Sequence, residues 1–443
     1  MEGIIEEHII SDIINREDKK NEEKLAKVSV PVEKNLLCHL LFFLMGVCHF
    51  LPITFFSAAN NFWLHKFQNT TSDSSDEVQN RTVLQRYFAP ATLMTYAVSS
   101  LTFGIFNLTV GNRYKIMNRL IFTLCVESVV FILLTIGVKV NTNNFQITYF
   151  FLVLMGYATL QGANAVNLVA SMNLFPRFPH KYMNTCLVGQ GTAGVLGDIL
   201  NIMAVGMFNG DITNATLFYF IVGCGVVLLT LVLTTIVSKS SFFILCVSSV
   251  PQDFDKTLVP SVKDLKHLFF KLKYAAIMLT YFVLGITLTH PSITALVVSE
   301  QHEENTSWAR SYFSPVMSFL LSDLGLLLGR VAVSHLPIEL SKIERLLSAL
   351  STIRTLILIP LVWMCNAQPR SHLPILFPRD YQYGIVLFIF MFTNGGLVNG
   401  SLLLIPEKVD KREADMAYTM YGFALSLVHT ITSPLGLFIV NVL

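Results

Sequence analysis

Long apolar runs separated by short polar breaks make up the chain from residue 36 to its end. Each is about 20 residues long, enough for an α-helix to cross the ~30 Å hydrocarbon core of a bilayer. We count eleven such runs, at 36–58, 87–107, 116–138, 147–171, 182–206, 216–237, 274–298, 311–334, 347–366, 382–405 and 416–441. Gly, Pro and Asn inside them are tolerated when neighbouring helices satisfy the freed backbone groups. The pattern predicts an all-α integral membrane protein with eleven transmembrane helices.

Two longer polar stretches divide the chain. Residues 1–35 alternate acidic and basic groups ("NREDKKNEEKLAK") and read as a cytosolic N-terminal tail. Residues 238–273 separate an N-terminal six-helix bundle, 36–237, from a C-terminal five-helix bundle, 274–443. This second stretch is interpreted as a solvated cytosolic linker; the alternative is an amphipathic helix lying on anionic headgroups. Two bundles around a central loop are typical of a transporter whose site lies between rocking halves.

Composition agrees with this class. Only 14% of residues are charged, against about 25% in soluble proteins. A net charge of +2 gives no argument for nucleic-acid binding. The seven cysteines lie mostly in or beside the apolar runs without zinc-ligand spacing, so we expect no disulfide, metal or cofactor. No catalytic motif lies in the spans and no obligate protein partner is evident, so an enzyme is not expected.

Charge placement predicts the orientation. With the N-terminus in the cytosol, the inside segments hold 22 Lys and Arg residues and the outside segments hold 7. This bias follows the positive-inside rule and puts the C-terminus outside. Three glycosylation sequons, at Asn69, Asn80 and Asn305, then fall in outside loops. We expect the plasma membrane, with an endolysosomal membrane as the alternative suggested by "EEHII" near the N-terminus.

Ionisable groups inside the predicted spans are functional candidates, because each costs at least ~2.5 kcal/mol at a helix centre. They are His49, Glu127, Asp198, His290, Asp323, Arg330, Arg354 and His429. Amides join them in three spans: Gln161, Asn164, Asn167, Gln190, Asn201, Asn394 and Asn399. The three histidines are single residues on different spans and favour packing roles over proton coupling. Glu127 and Asp198 are expected to pair with Arg354 or with a buried amide rather than to contact a substrate.

Two segments favour interhelical contact. In the fourth span, Gln161 begins a polar stripe that must face protein or water, and it acts either as interhelical glue or as a ligand contact. Gly189, Gly191 and Gly194, with Gln190 among them, form a surface on which another backbone can approach closely. Asn394 and Gly395 in the tenth span are assigned to the same packing and gating class.

The eighth span holds two charges within "SDLGLLLGR". Asp323 and Arg330 are seven residues apart, so they share a helical face but are separated by about 10.5 Å along the axis. Direct pairing favours a spacing of three or four. The two side chains are therefore expected to bracket a ligand group, a water chain or a polar group of another helix.

Five segments stand out in order along the chain: "MGVCHFLPITFFSAANNF" (45–62), "LQGANAVNLVASMNLFP" and "GQGTAGVLG" (160–197), "SDLGLLLGRVAV", and "FTNGGLVNGSLLLIPEKVDKREADMAYTMYGFALSLVHTITSPLGLF" (392–438). Together they resemble the equilibrative nucleoside transporter family, of the solute carrier 29 type. The resemblance extends over the chain from residue 36 onward. It implies an MFS-like fold in a 6+5 arrangement and facilitated transport of nucleosides by alternating access, with nucleobases as an open addition.

The resemblance also implies a substrate site. Gln161 matches the family's substrate-contacting glutamine, and Arg330 matches the arginine of the eighth-span Gly-Arg motif. The first-span wall corresponds to Leu51, Ile53 and Thr54. Two departures stand out: many members carry Trp at the position of Ile53, and the family's aspartate, four residues before the arginine, is here a leucine. Asp323 is placed in the site by the bracketing argument alone.

Three alternatives stay open. Proton-coupled nucleoside symport is motivated by Glu127, Asp198 and Asp323. A carrier of another small polar solute on the same fold is the second. A non-transporting receptor on a carrier fold is the third, and an intramembrane Gln161 and Arg330 argue against it. The partners expected are a nucleoside or nucleobase and the lipid bilayer.

Overall fold

The structure, a computed structural model, describes residues 36–68, 82–208, 211–249, 261–290, 293–304, 306–368, 370 and 372–442. Within them eleven helices have fourteen or more residues. In chain order α1 to α11 they are Leu36–Ala58, Val83–Thr109, Ile116–Lys139, Gln146–Met172, His180–Met207, Ile212–Val237, Lys273–Thr289, Leu321–Ser334, Leu340–Trp363, Asp380–Lys408 and Lys411–Val442. The described residues contain no strand beyond isolated bridges. The prediction of an all-helical membrane protein is confirmed.

Ten described segments are long and apolar enough to cross a bilayer, which makes this a multi-pass membrane protein. They comprise α1 to α10, with the crossing at α8 beginning at Ser314. The last helix, Lys411–Val442, has 32 residues but is not among the ten. The count of eleven crossings therefore stays a prediction, and so does the division into six and five.

Side-chain hydrogen bonds cap the N-termini of several of these helices. Thr82 accepts from the backbone of Gln85, whose side chain accepts in turn from the Thr82 backbone, so α2 begins with a capping box. The Asp211 side chain accepts from the Asn214 backbone and caps α6 by that single bond. The linker helix, which is our name for Val262–Lys271, begins with Ser261 as its cap and leads through Leu272 into α7.

The predicted span 311–334 is not uniformly α-helical. Two π-helical segments, Trp308–Tyr312 and Ser314–Leu320, precede the regular helix α8. Pro315 lies in the second segment and has no N–H to donate, which disfavours a regular ladder at that turn. Asp323 and Arg330 both lie in the regular part, so the spacing argument for their shared face applies.

Three apolar clusters stabilise the helices. One lies wholly within residues 47–227 and is rich in stacked aromatic rings, among them Phe56, Trp63 and Tyr157. Another lies within residues 293–391. The third joins side chains from both parts of the chain, from Cys38 to Tyr421. It covers the end that holds the α4–α5 turn, which we call the α4–α5 end. The helices α1–α6 and α7–α11, which we call the two halves of the chain by sequence alone, are packed together there.

Candidate functional site

A hydrogen-bonded chain crosses between the two halves of the protein at Gln190. Arg330 Nη1 on α8 donates to Gln190 Oε1 on α5 at 2.8 Å. The Gln190 amide nitrogen lies 2.8 Å from Nδ1 of His49 on α1. All three side chains are buried. Each polar group in such a dry site needs a partner, so this chain couples α1, α5 and α8 through one glutamine.

Arginine can only donate hydrogen bonds, and this fixes the donor and the acceptor at each bond of the series Arg330, Gln190 and His49. Because Gln190 Oε1 accepts from Arg330, the amide NH₂ must point to His49. Nδ1 of His49 therefore accepts, and the ring proton is assigned to Nε2, which has no partner in the structure. His49 is thus a neutral imidazole with a free, buried donor. The sequence favoured a packing role for it and missed this contact.

Arg330 is fully buried and only partly satisfied. Nη1 bonds Gln190 and lies 3.4 Å from the Leu187 carbonyl oxygen, while Nε and Nη2 have no partner. The guanidinium lies 5.5 Å from the ring centroid of Phe50, within cation–π range. Its backbone oxygen accepts from Asn399 at 2.8 Å, which fixes α8 against α10. A buried cation with two unused donors is suited to a polar ligand rich in acceptors.

Gln161 lies elsewhere, on a small cavity between α2, α4 and α11. The cavity has a volume of about 40 Å³ and is also lined by Asn107, Asn164 and Ser426. Nε2 of Gln161 has no partner there, and neither do Oδ1 of Asn107 and Asn164. Small-molecule pockets commonly measure ~300–1,000 Å³. The cavity is therefore too small for a nucleoside-sized molecule, and α2, α4 and α11 would have to move apart to admit one.

The cavity and Arg330 are connected through α1. Asn164, which lines the cavity, donates to the His49 backbone oxygen at 2.8 Å, and the His49 ring belongs to the Gln190 chain. Gln161 and Arg330 themselves are not brought into contact, and Arg330 does not line the cavity. The two residues that resemblance assigned to one site thus lie apart: Gln161 lines the cavity, whereas Arg330 belongs to the Gln190 chain.

The first-span wall divides in the structure. Leu51 is fully buried in the apolar cluster within residues 47–227, while Ile53 and Thr54 are half-buried. The Thr54 hydroxyl lies 3.2 Å from the Phe50 and Leu51 backbone oxygens, and the Tyr219 hydroxyl donates to the Thr54 carbonyl at 3.4 Å. None of the three lines the small cavity. Their substrate contacts stay a prediction.

Asp323 meets a polar group of another helix, one of the three alternatives for its role. Its carboxyl lies directly against the backbone of Gly194 on α5, where a Cβ would overlap it. One turn further along α5, the buried Asp198 carboxyl lies close to that of Asp323. Two neighbouring carboxyl groups in a buried site disfavour a second negative charge, so this pair between α5 and α8 can share one proton.

The glycines lie where backbones approach each other. A Cβ at Gly46 on α1 would overlap the Cys186 carbonyl oxygen on α5, and one at Gly189 would overlap the Phe43 carbonyl oxygen. Gly191 faces Leu327 and Arg330 of α8 at 3.0–3.1 Å. On the other half, a Cβ at Gly395 would overlap the Leu326 carbonyl oxygen. Close contacts of α1 with α5, and of α8 with α10, therefore require glycine.

Asn394 and Arg354 form a separate polar group within the second half. Arg354 Nε donates to the Thr393 hydroxyl at 2.7 Å, and Nη2 donates to the Phe390 carbonyl at 2.5 Å. The Asn394 amide donates to the Phe282 carbonyl at 3.4 Å. These contacts join α7, α9 and α10 and do not reach the first half. Glu127 is likewise internal to the first half, where it accepts from Asn167 at 3.4 Å.

An ion pair joins the halves at the α4–α5 end. Arg177, in the turn before α5, donates from both terminal nitrogens to Asp415 of α11 at 2.6 Å. Arg177 also donates to the Asn173 carbonyl, and its side chain is fully buried. Nearby, Lys271 of the linker helix lies 2.9 Å from Glu413. Bidentate pairing of this kind is strong and directional, so it holds the end closed.

The glycosylation candidates Asn69, Asn80 and Asn305 lie outside the described residues.

Comparison with known proteins agrees with this architecture. A solved structure, that of the human organic anion transporter MFSD10 (TETRAN), superposes with a TM-score of 0.54 at 12% identity, covering 93% of this chain and 95% of its own. At that identity the likeness concerns the fold, which is MFS-like as predicted.

The sequence comparisons are more specific. The chain is 24% identical over 451 residues to equilibrative nucleoside transporter 1 of Homo sapiens, covering 90% of this chain and 95% of that protein. It is 26% identical to the human transporter 2, at 91% and 96% coverage. For transporter 3 of Rattus norvegicus the identity is 22%, at 88% and 86% coverage.

A sequence model of the nucleoside transporter family matches residues 154–249 and 247–431, which is more than half of the chain. The chain is therefore a member of the nucleoside transporter family, and the resemblance to its equilibrative members is confirmed.

Proposed function

We propose that this protein carries nucleosides, and nucleobases with them, across a membrane by alternating access and facilitated diffusion. Family membership supports the substrate class, since the relatives are named equilibrative nucleoside transporters. The observation that carries the proposal is the buried bond from Arg330 to Gln190, which joins the two halves and leaves Nε and Nη2 of the arginine free. A neutral ligand with several acceptors satisfies these donors without bringing a second buried charge.

The proposed architecture has eleven crossings, in bundles of residues 36–237 and 274–443 around the segment 238–273. The N-terminus is cytosolic, the C-terminus extracellular and the membrane the plasma membrane. In this orientation the α4–α5 end faces the cytosol, with Arg177 and Asp415 as its bridge. The closed cavity near Gln161 supports a transport cycle in which the halves must separate before a substrate enters.

Substrate contacts are proposed for Gln161 and Arg330, with His49 and Gln190 as the residues that connect them. Leu51, Ile53 and Thr54 form the apolar wall when the halves open. Asp323 is proposed to act on the helix contact rather than on the ligand, since its carboxyl lies against Gly194 and near Asp198 of α5.

Uptake of radiolabelled uridine and adenosine by cells lacking their own nucleoside carriers tests the proposal. Wild-type protein should show saturable uptake that rises only to the outside concentration and is unaffected by a protonophore. Arg330→Ala should lower uptake by at least tenfold, as expected when a charged hydrogen bond worth about 1.5–3 kcal/mol is lost. Gln161→Ala should change the ranking of substrates.

Arg354→Ala is the matched control, because Arg354 is also a largely buried arginine but bonds only within the second half. At equal surface abundance it should retain uptake. Wild-type protein at the surface with no saturable uptake of any nucleoside or nucleobase would overturn the proposal. Uptake that rises at acidic outside pH and collapses with a protonophore would instead indicate proton-coupled symport.

A further inference from the structure

The linker helix, Val262–Lys271, has an apolar face with no partner among the described residues. Its one buried side chain, Leu268, belongs to the cluster that joins both halves. Val262, Phe269 and Phe270 are 79%, 50% and 59% exposed. At 100° per residue, Val262 and Phe269 lie within 20° of each other and Phe270 borders them. A ten-residue helix outside the spans thus presents bulky apolar groups to its surroundings.

The position of this helix places that face at the membrane boundary. Only Leu272 separates it from α7, whose residues begin an apolar crossing at Lys273. Leu272 and Ala275 are buried in the same cluster as Leu268. The helix is therefore held at the level where α7 enters the bilayer. An amphipathic helix at this depth buries its apolar face about 5–10 Å into the headgroup region.

Its charges select the lipid. The helix has three lysines and one aspartate, and Lys271 is already paired with Glu413. Lys263 and Lys266 are exposed, and no ion pair is described for either of them. At 100° per residue, Lys266 lies between Val262 and Phe270, and Lys263 lies 20° beyond Phe270. Lysine stems of this kind lie along apolar surface while the ammonium groups reach headgroup oxygens. Basic groups near a membrane surface attract anionic lipids.

We propose that the linker helix is a binding surface for anionic phospholipid headgroups, with Phe269 and Phe270 in the acyl boundary and Lys263 and Lys266 on the phosphates. The surface is independent of the transported substrate. It also adjoins the closed end of the protein, because Lys271 of the same helix bonds Glu413 at the start of α11. Lipid binding to the linker helix therefore holds Lys271, the partner of Glu413, in place.

Hydrogen exchange of the amides in residues 262–271 tests this inference in nanodiscs. The full-length protein is compared in phosphatidylcholine alone and in phosphatidylcholine with phosphatidylserine. Exchange should slow by roughly thirtyfold with phosphatidylserine, as expected for two lysines at an anionic surface. High salt should remove the difference, since exposed charges are screened. Lys263→Gln with Lys266→Gln should abolish it, while amides of α5 exchange as in wild type.

Lys115→Gln with Lys342→Gln is the matched control, because both lysines are exposed and lie off the linker helix. That variant should keep the full effect of phosphatidylserine. Phe269→Ser with Phe270→Ser should speed exchange in both lipids. Equal exchange in the two lipids, an effect that survives in the Lys263/Lys266 variant, or protection reproduced by free inorganic phosphate in phosphatidylcholine discs would overturn the proposal.

Discussion

At the residue scale, the contacts of Arg330 explain why a membrane helix keeps a charge. Its guanidinium has one strong acceptor, Gln190 Oε1 at 2.8 Å, and the ring of Phe50 at 5.5 Å. These contacts are too few for a fully satisfied arginine, which has five N–H donors. The remaining donors are free where a ligand is proposed to bind. Arg354 has one buried nitrogen without a partner among the described residues, Nη1, but its bonds to Thr393 and Phe390 lie within one half.

The pair of Asp198 and Asp323 makes a prediction for pH. A shared proton stabilises the folded arrangement while it is bound, and its loss at rising pH leaves two carboxylates in contact. The free energy of unfolding should therefore fall as pH rises, by about 1–3 kcal/mol for this contact. Asp323→Asn keeps a donor for Asp198 without needing the proton. Its thermal midpoint in detergent should be flatter with pH than that of wild type.

Asp264→Asn serves as the control for this measurement, because Asp264 is an exposed carboxylate on the linker helix. It should leave the pH profile of wild type unchanged. Parallel profiles for wild type and Asp323→Asn would contradict a proton shared by the pair.

At the scale of elements, glycine decides how close two helices lie. The contact of α1 with α5 brings Gly46 onto the Cys186 carbonyl and Gly189 onto the Phe43 carbonyl. In a bilayer, close backbone packing of this kind replaces the hydrophobic effect as a source of helix association. The two segments before α8 are π-helical, and Pro315 in the second of them has no N–H to donate to a regular helical ladder.

Gly46→Ala should lower the thermal stability of the protein, because the new methyl group overlaps a carbonyl oxygen that belongs to another helix backbone. Overpacking of a tight contact commonly costs about 1–3 kcal/mol. Gly225→Ala on α6 is the control, since no atom lies within 4 Å of its Cβ position. It should be neutral or slightly stabilising. Equal melting temperatures for the two variants would contradict the role of Gly46.

At the scale of the whole molecule, two polar contacts join the halves. The network through Gln190 joins them in the middle, and Arg177 with Asp415 joins them at the α4–α5 end. Alternating access requires the end bridge to form and break in each cycle. The bridge must therefore be strong enough to hold this end together and weak enough to break in each transport cycle.

Asp415→Ala should reduce nucleoside uptake more than Arg177→Ala. The Arg177 side chain is fully buried, whereas that of Asp415 is 31% exposed, so removal of the aspartate leaves a buried charge. A loss of about tenfold corresponds to ~1.4 kcal/mol. The exchanged pair Arg177→Asp with Asp415→Arg should recover part of the uptake. Lys342→Ala, which removes an exposed pair with Glu339, should have no effect.

The sequence by itself determined the class of the molecule. Apolar runs of membrane-spanning length can only be helices, because a bilayer satisfies no backbone group, and the confirmed all-helical fold follows from that. The ordered motifs determined the family, which the comparisons confirm. Arg330 and Gln190 were recognisable as candidates because charge and amides are rare in membrane helices.

The tertiary structure alone decided which of these groups meet. His49 appeared as a lone histidine, yet it receives the Gln190 amide across 141 residues of sequence. Asp198 and Asp323, 125 positions apart, lie close together, which no local pattern predicts. Gln161 lines the cavity and Arg330 belongs to the Gln190 chain, so the two are not side by side. A helical period specifies the face on which a side chain lies, but the packing of whole helices determines what that face contacts.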